Sequence, residues 1–96
     1  MTSKQRSSLK AIAAKEKPIA QIGKEGIGEN LIAGLSDALD ARELIKVTLL
    51  PASCEDGENL AANVADLLKA EVVAVIGRKA IFYRRSPRKD FKHLEF

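Results

Sequence analysis

The sequence predicts a single compact α/β (α+β) domain with elements in the order α-β-α-β-α-β-β, and three observations carry that prediction. Apolar residues recur at three- and four-residue intervals in three separate stretches, the period of amphipathic helices. Short apolar runs closed by Pro or Gly lie between and after them, the pattern of strands. Ninety-six residues, 46% hydrophobic and 30% charged, suit one globular core and leave too little chain for a second.

Thr2 or Ser3 can cap a first helix running to about Ala14, with Leu9, Ile12 and Ala13 on its buried stripe. Pro18 stops it, and Ile19 to Ile22 makes a short strand. A second helix is expected over about Glu29 to Ala41, where Leu31, Ile32, Leu35, Ala38 and Leu39 form a stripe that should face a sheet. Leu44 to Leu50, ended by Pro51, reads as a central strand. After a turn at Cys54 to Glu58, a third helix over about Glu58 to Ala70 places Leu60, Ala61, Val64, Leu67 and Leu68 inward. Val72 to Ile76 and Ala80 to Tyr83, joined by Gly77-Arg78-Lys79, read as a hairpin. Residues 86 to 96, with Pro87 and dense charge, are expected to be a basic tail following a domain of residues 1 to 85.

Several function classes lose support at this point. No stretch reaches the roughly 18 apolar residues of a membrane span, and the amino terminus lacks an apolar signal core, so a cytoplasmic protein is expected. One cysteine (Cys54) and one histidine (His93) offer neither an internal disulfide nor a metal cluster. An enzyme is not expected: Cys54 sits beside Glu55 and Asp56, His93 in the tail, and Asp37, Asp40 and Glu43 read as a solvated acidic face with no partner base. No cofactor and no small-molecule substrate is implied, and nothing demands more than a monomer.

The binding signals are a loop and a charge pattern. Gly23-Lys24-Glu25-Gly26 is G-x-x-G, followed by Gly28 just before the second helix. Glycine lets a ligand approach the main chain, and the amides that open a helix favour anions, so phosphate suits the place. The alternative is a plain strand-to-helix turn with Gly28 as cap, and both the Walker and dinucleotide patterns are absent. Residues 1 to 17 carry Lys4, Arg6, Lys10, Lys15 and Lys17 against Glu16, and residues 78 to 92 carry Arg78, Lys79, Arg84, Arg85, Arg88, Lys89 and Lys92 against Asp90. Residues 18 to 77 are net acidic, and such segregation points to a polyanion touched by both ends of the chain.

With these stretches in place the chain resembles the CRM domain, the RNA-binding module of chloroplast splicing factors and of stand-alone bacterial YhbY-like proteins. The resemblance rests on Ser3-Lys4-Gln5-Arg6 and Leu9, Lys17-Pro18-Ile19, Ile22-Gly23-Lys24-Glu25-Gly26, Glu43-Leu44-Ile45-Lys46-Val47, Val75-Ile76-Gly77-Arg78-Lys79 and Tyr83-Arg84, in that order. It implies helices packed on a four-stranded mixed sheet, similar to the C-terminal domain of translation initiation factor three. It further implies an RNA-binding ribosome assembly factor acting on ribosomal RNA in large-subunit (50S) precursors.

The expected RNA contacts are Gly23, Lys24, Glu25 and Gly26 of the loop, Lys4, Arg6 and Lys10 of the first helix, Arg78, Lys79, Arg84 and Arg85 of the hairpin, and Arg88 of the tail. Glu25 would have to turn its carboxylate away from phosphate or toward a base edge or ribose hydroxyl. Arg84 and Arg85 are treated as exposed charges whose removal should cost little stability, and Lys46 as facing either way. Only one of Phe82 and Tyr83 can lie outside the core, so base stacking should be minor. The rival reading is a protein-interaction module that docks a ribosomal protein through the acidic face, notably Glu55-Asp56-Gly57-Glu58.

Overall fold

In the computed structural model, residues 2–22, 28–50, 57–87 and 93 are described, and their elements follow from local sequence chemistry. Helix α1 (Ser3–Ala13) opens with a reciprocal capping box: Thr2 Oγ1 accepts from the Gln5 amide and the Gln5 side chain accepts from the Thr2 amide. Strand β1 (Ala20–Ile22) leads toward helix α2 (Glu29–Arg42), whose N-cap is Gly28, without a side-chain cap bond. Strand β2 (Leu44–Leu49), helix α3 (Gly57–Leu68) and the strands β3 (Glu71–Ile76) and β4 (Lys79–Tyr83) complete the helices and strands among the described residues. The G-x-x-G loop, the acidic turn around Cys54 and Arg88 lie outside the described residues.

Two helix ends use left-handed residues that are not glycine. Lys69 (φ 55°) follows α3 in a Schellman arrangement, with the Ala70 amide donating to Ala65 O at 2.9 Å and the Lys69 amide to Asp66 O at 3.3 Å. Glu43 (φ 65°) closes α2, its amide donating to Leu39 O at 2.7 Å. A glycine would meet less strain at either position; the Lys69 side chain is exposed, whereas that of Glu43 is buried and accepts from the Ser86 amide.

The four strands form one mixed sheet of order β1-β2-β4-β3, with β1 parallel to β2 and the β2/β4 and β4/β3 pairs antiparallel. The chain is thus an α+β domain of three helices on a four-stranded sheet. Strand alternation divides the core between its faces. Ile22, Ile45, Val47, Leu49, Ala80 and Phe82 pack against Leu35 and Leu39 of α2 and Val64 and Leu68 of α3. On the other face Leu44, Val73 and Ile81 pack against Leu9 and Ala13 of α1.

A register shift between Val72 and Ala74 lets both Val73 and Ala74 join the α1 side. Arg6 closes this irregularity from α1, its Nη1 donating to Val72 O at 2.6 Å and Val73 O at 2.8 Å. At the far end of the same hairpin Gly77 takes φ +61°, which a two-residue connection with a glycine in its first central position needs.

Topology sorts the connections onto two ends. Parallel β1 and β2 both finish at one end, where the Gly77-Arg78 turn also lies and from which the chain departs toward α2 and α3. The ends of α2 and β4 meet at the other. Among the described residues no helix is long and apolar enough to cross a membrane.

Candidate nucleic-acid interface

Helix α1 covers only part of its face of the sheet. Register pairs Gln21 with Thr48 and Thr48 with Lys79, and Lys79 with Ile76, so these four side chains form one row across the α1 side at the loop end. Gln21 and Lys79 are exposed, Ile76 is 56% exposed and Thr48 is half-buried. Lys17, Pro18, Ile19 and Ala20 continue this row into a shallow groove with Gln21 and Thr48. The next row on this face carries Lys46, whose Nζ lies 3.4 Å from Ala13 O and 3.5 Å from Glu16 O, and it thereby supports the carboxyl end of α1.

Cations ring the open row. Arg78 is exposed in the adjacent turn, and its carbonyl accepts the Leu49 amide at 2.5 Å, which fixes the turn against β2. Ile12 lies beside Leu44 and Arg42, and Lys10 is exposed on the other flank of α1, about 100° around the helix from Leu9. Among the described residues none of Lys10, Lys17, Arg78 and Lys79 pairs with a carboxylate. Gln21 is two residues before Gly23 in the sequence, and the expected loop residues Gly23, Lys24, Glu25 and Gly26 lie outside the described residues.

The other predicted contacts are dispersed. Lys4 is exposed on α1, and Arg6, also exposed, is engaged with the Val72 and Val73 carbonyls. Arg84 and Arg85 sit beyond the far end of β4, roughly 20 Å of extended chain from Arg78. Arg84 is not an exposed charge: its side chain is 20% accessible, Nη1 donates to Leu68 O at 2.7 Å, and Nη2 donates to Ser36 O, Ser36 Oγ and Asp40 Oδ1 at 2.8 to 3.0 Å. The expectation that its removal costs little stability is corrected by those four bonds. Arg85 remains exposed.

The acidic face is corrected in part. Asp40 pairs with Arg84, and Glu43 is fully buried, its Oε2 accepting from the Ser86 amide at 2.7 Å and paired with His93 Nδ1 at 2.5 Å. Ser86 Oγ also donates to Asp40 O at 2.7 Å. Ser86 and His93, two residues of the segment expected to be a basic tail, are thus bonded to the carboxyl end of α2. Tyr83 packs against the α1-side cluster, and burial first and the Glu43 carboxylate second raise its phenol above the ordinary value. Phe82 is fully buried, so neither ring of β4 offers a free stacking platform.

Sequence reasoning missed Gln21 and Thr48 and left Lys46 undecided. Their shared signal was strand parity: Leu44 and Ile81 belong to the α1 side, and every second residue of β2 follows Leu44.

Comparison with known proteins converges on one family. The CRS1 / YhbY (CRM) domain model matches residues 1–84. The Bacillus subtilis (strain 168) protein named "Probable RNA-binding protein YqeI" is 36% identical over 95 residues, covering 99% of this chain and 97% of the relative. "Probable RNA-binding protein PA4753" of Pseudomonas aeruginosa is 32% identical over 88 residues, covering 92% and 85%. The solution structure of the hypothetical protein SAV1595 from Staphylococcus aureus superposes with a TM-score of 0.80 at 40% identity, covering 94% of each chain.

Proposed function

The chain belongs to the CRS1/YhbY (CRM) domain family, and from that premise we propose that it is an RNA-binding protein that holds ribosomal RNA in precursors of the large ribosomal subunit. RNA binding is supported by the relatives' names and by the surface; the ribosomal precursor extends the family resemblance. The observation that carries the reading is the contrast in how cations are spent. Arg84 is consumed within the fold, whereas among the described residues Lys17, Arg78 and Lys79, around one open patch of the sheet, and Lys10 on α1 pair with no carboxylate.

Such a patch meets phosphates as mobile point charges, and the G-x-x-G motif that follows Gln21 in the sequence would add close main-chain approach. Without a free aromatic ring on β4, affinity comes from phosphate and ribose contacts and from the shape of a structured RNA. A salt series of binding to protein-free large-subunit ribosomal RNA, with small-subunit RNA as competitor, tests this. Affinity falling steeply with salt and surviving the competitor is expected; no binding at low salt overturns the reading.

A second reading has one observation in its favour. On the opposite side of the molecule Leu67 is 58% exposed beside Ile32 and Ala33, with Glu29 at the groove's edge, which would suit a basic protein segment. Such a segment could bind there whether or not RNA occupies the α1 side.

A further inference from the structure

The neutral members of the open row are placed to do something its cations cannot. Gln21 and Thr48 are neighbours across β1 and β2, separated by the roughly 4.8 Å between paired strands, and both belong to the α1 side. Neither side chain bonds to another described residue, so a carboxamide and a hydroxyl, each both donor and acceptor, are left to solvent. They lie among Lys17, Lys79 and the Arg78 turn, which would hold a phosphate backbone on either side of them.

Resting on the proposed RNA reading, we infer that Gln21 and Thr48 form a sugar-reading pair, which hydrogen-bonds ribose 2′-hydroxyls in the minor groove of an RNA duplex and thereby separates RNA from DNA. The 2′-hydroxyl is itself donor and acceptor and matches both groups. The minor groove of A-form RNA is wide and shallow, and it suits this sheet surface, since Phe82 packs on the opposite face and Tyr83 lies at the other end of β4 against the α1-side cluster. Lysine alone would weight phosphates of RNA and DNA similarly, because phosphate contacts carry the charge and not the sugar.

The test compares three duplexes of one sequence, RNA, DNA and 2′-O-methyl RNA, against the full chain and two shape-preserving variants, Thr48→Val and Gln21→Met. Folding of each variant is checked by its NMR amide spectrum. The parent is expected to prefer RNA over both other duplexes, and each variant to lose about fivefold on RNA while keeping its DNA affinity, the size of one ordinary hydrogen bond. On the 2′-O-methyl duplex the difference between each variant and the parent should shrink, since the methyl ether has no donor and its methyl group crowds the oxygen that remains. Lys79→Ala serves as contrast and should weaken RNA and DNA alike.

A parent that prefers RNA with a preference unchanged in both variants overturns the inference and leaves the RNA reading standing. Equal parental affinity for RNA and DNA also overturns it. Binding to none of the duplexes, together with none to ribosomal RNA, overturns the RNA reading and the inference with it.

Discussion

Two basic stretches lie at the ends of strand β4 and look alike in sequence, Gly77-Arg78-Lys79 at its start and Arg84-Arg85 just after it, yet the fold uses them in opposite ways. At the loop end Arg78 and Lys79 face solvent beside the open row of Gln21 and Thr48. At the far end Arg84 meets the last residue of α3 and the second half of α2, where Leu68 O and Ser36 O supply acceptors and Asp40, in the last turn of α2, supplies charge. Helix carboxyl ends carry unpaired carbonyls and the negative end of the dipole, so a cation delivered there is drawn into the structure. The role of a surface charge is thus decided by which acceptors lie within its reach, and a charge sum over the chain counts both kinds alike.

The largest effect that would break this contrast belongs to Glu43. Glu43→Ala should lower stability by about 3 kcal/mol, because the Ser86 amide and His93 lose a buried acceptor while the left-handed backbone stays strained. Urea denaturation measures this, and a loss below about 0.5 kcal/mol would mean that the buried carboxylate does not hold the carboxy-terminal segment.

Arg84→Ala comes next. Four partly buried charge-assisted bonds disappear, and a loss of about 2 kcal/mol is expected, with the salt dependence of RNA binding unchanged. A shallower salt slope with intact stability would place Arg84 on the binding side of the comparison.

Lys79→Ala should behave in the reverse manner. Stability should stay within about 0.5 kcal/mol of the parent, while the salt slope of RNA binding falls by about one. Equal loss in Lys79→Ala and Arg84→Ala on both measurements would erase the distinction between the two ends.

The smallest effect concerns Tyr83. With one tyrosine and no tryptophan in the chain, tyrosinate absorbance reports this phenol alone. Its midpoint should lie above the ordinary value of about 10, from burial first and the Glu43 carboxylate second. A phenol whose folded pKa is raised contributes stability that is present below the unfolded pKa and is lost as pH rises through the folded one, so stability should fall only above about pH 10. In Glu43→Ala the midpoint should move back toward the ordinary value.

Much of the architecture was legible because its signals are local. The stripe of Leu31, Leu35 and Leu39, the β-branched run around Val47 and the glycine between Ile76 and Arg78 each report a period or a turn that a few neighbouring residues determine. The candidate surface was legible only in outline. Lys79 and Arg78 fell where the charge pattern pointed, but Gln21 and Thr48 carry no charge and no motif, and become neighbours only through the β1/β2 register. Asp37, Asp40 and Glu43 looked equivalent at helical spacing, whereas Asp40 and Glu43 acquire partners 44 and 43 residues away from the chain that follows β4.

By itself the sequence determined the order of helices and strands, the G-x-x-G motif and the family, because amphipathic period, turn chemistry and motif spacing are written in consecutive residues. Only the tertiary structure decided which cations are free, because hydrogen bonds such as those of Arg84 to Ser36 and Asp40 and of Arg6 to Val73 join segments far apart in the chain. A guanidinium has the same charge in either place, and the acceptors that claim it are assembled by packing.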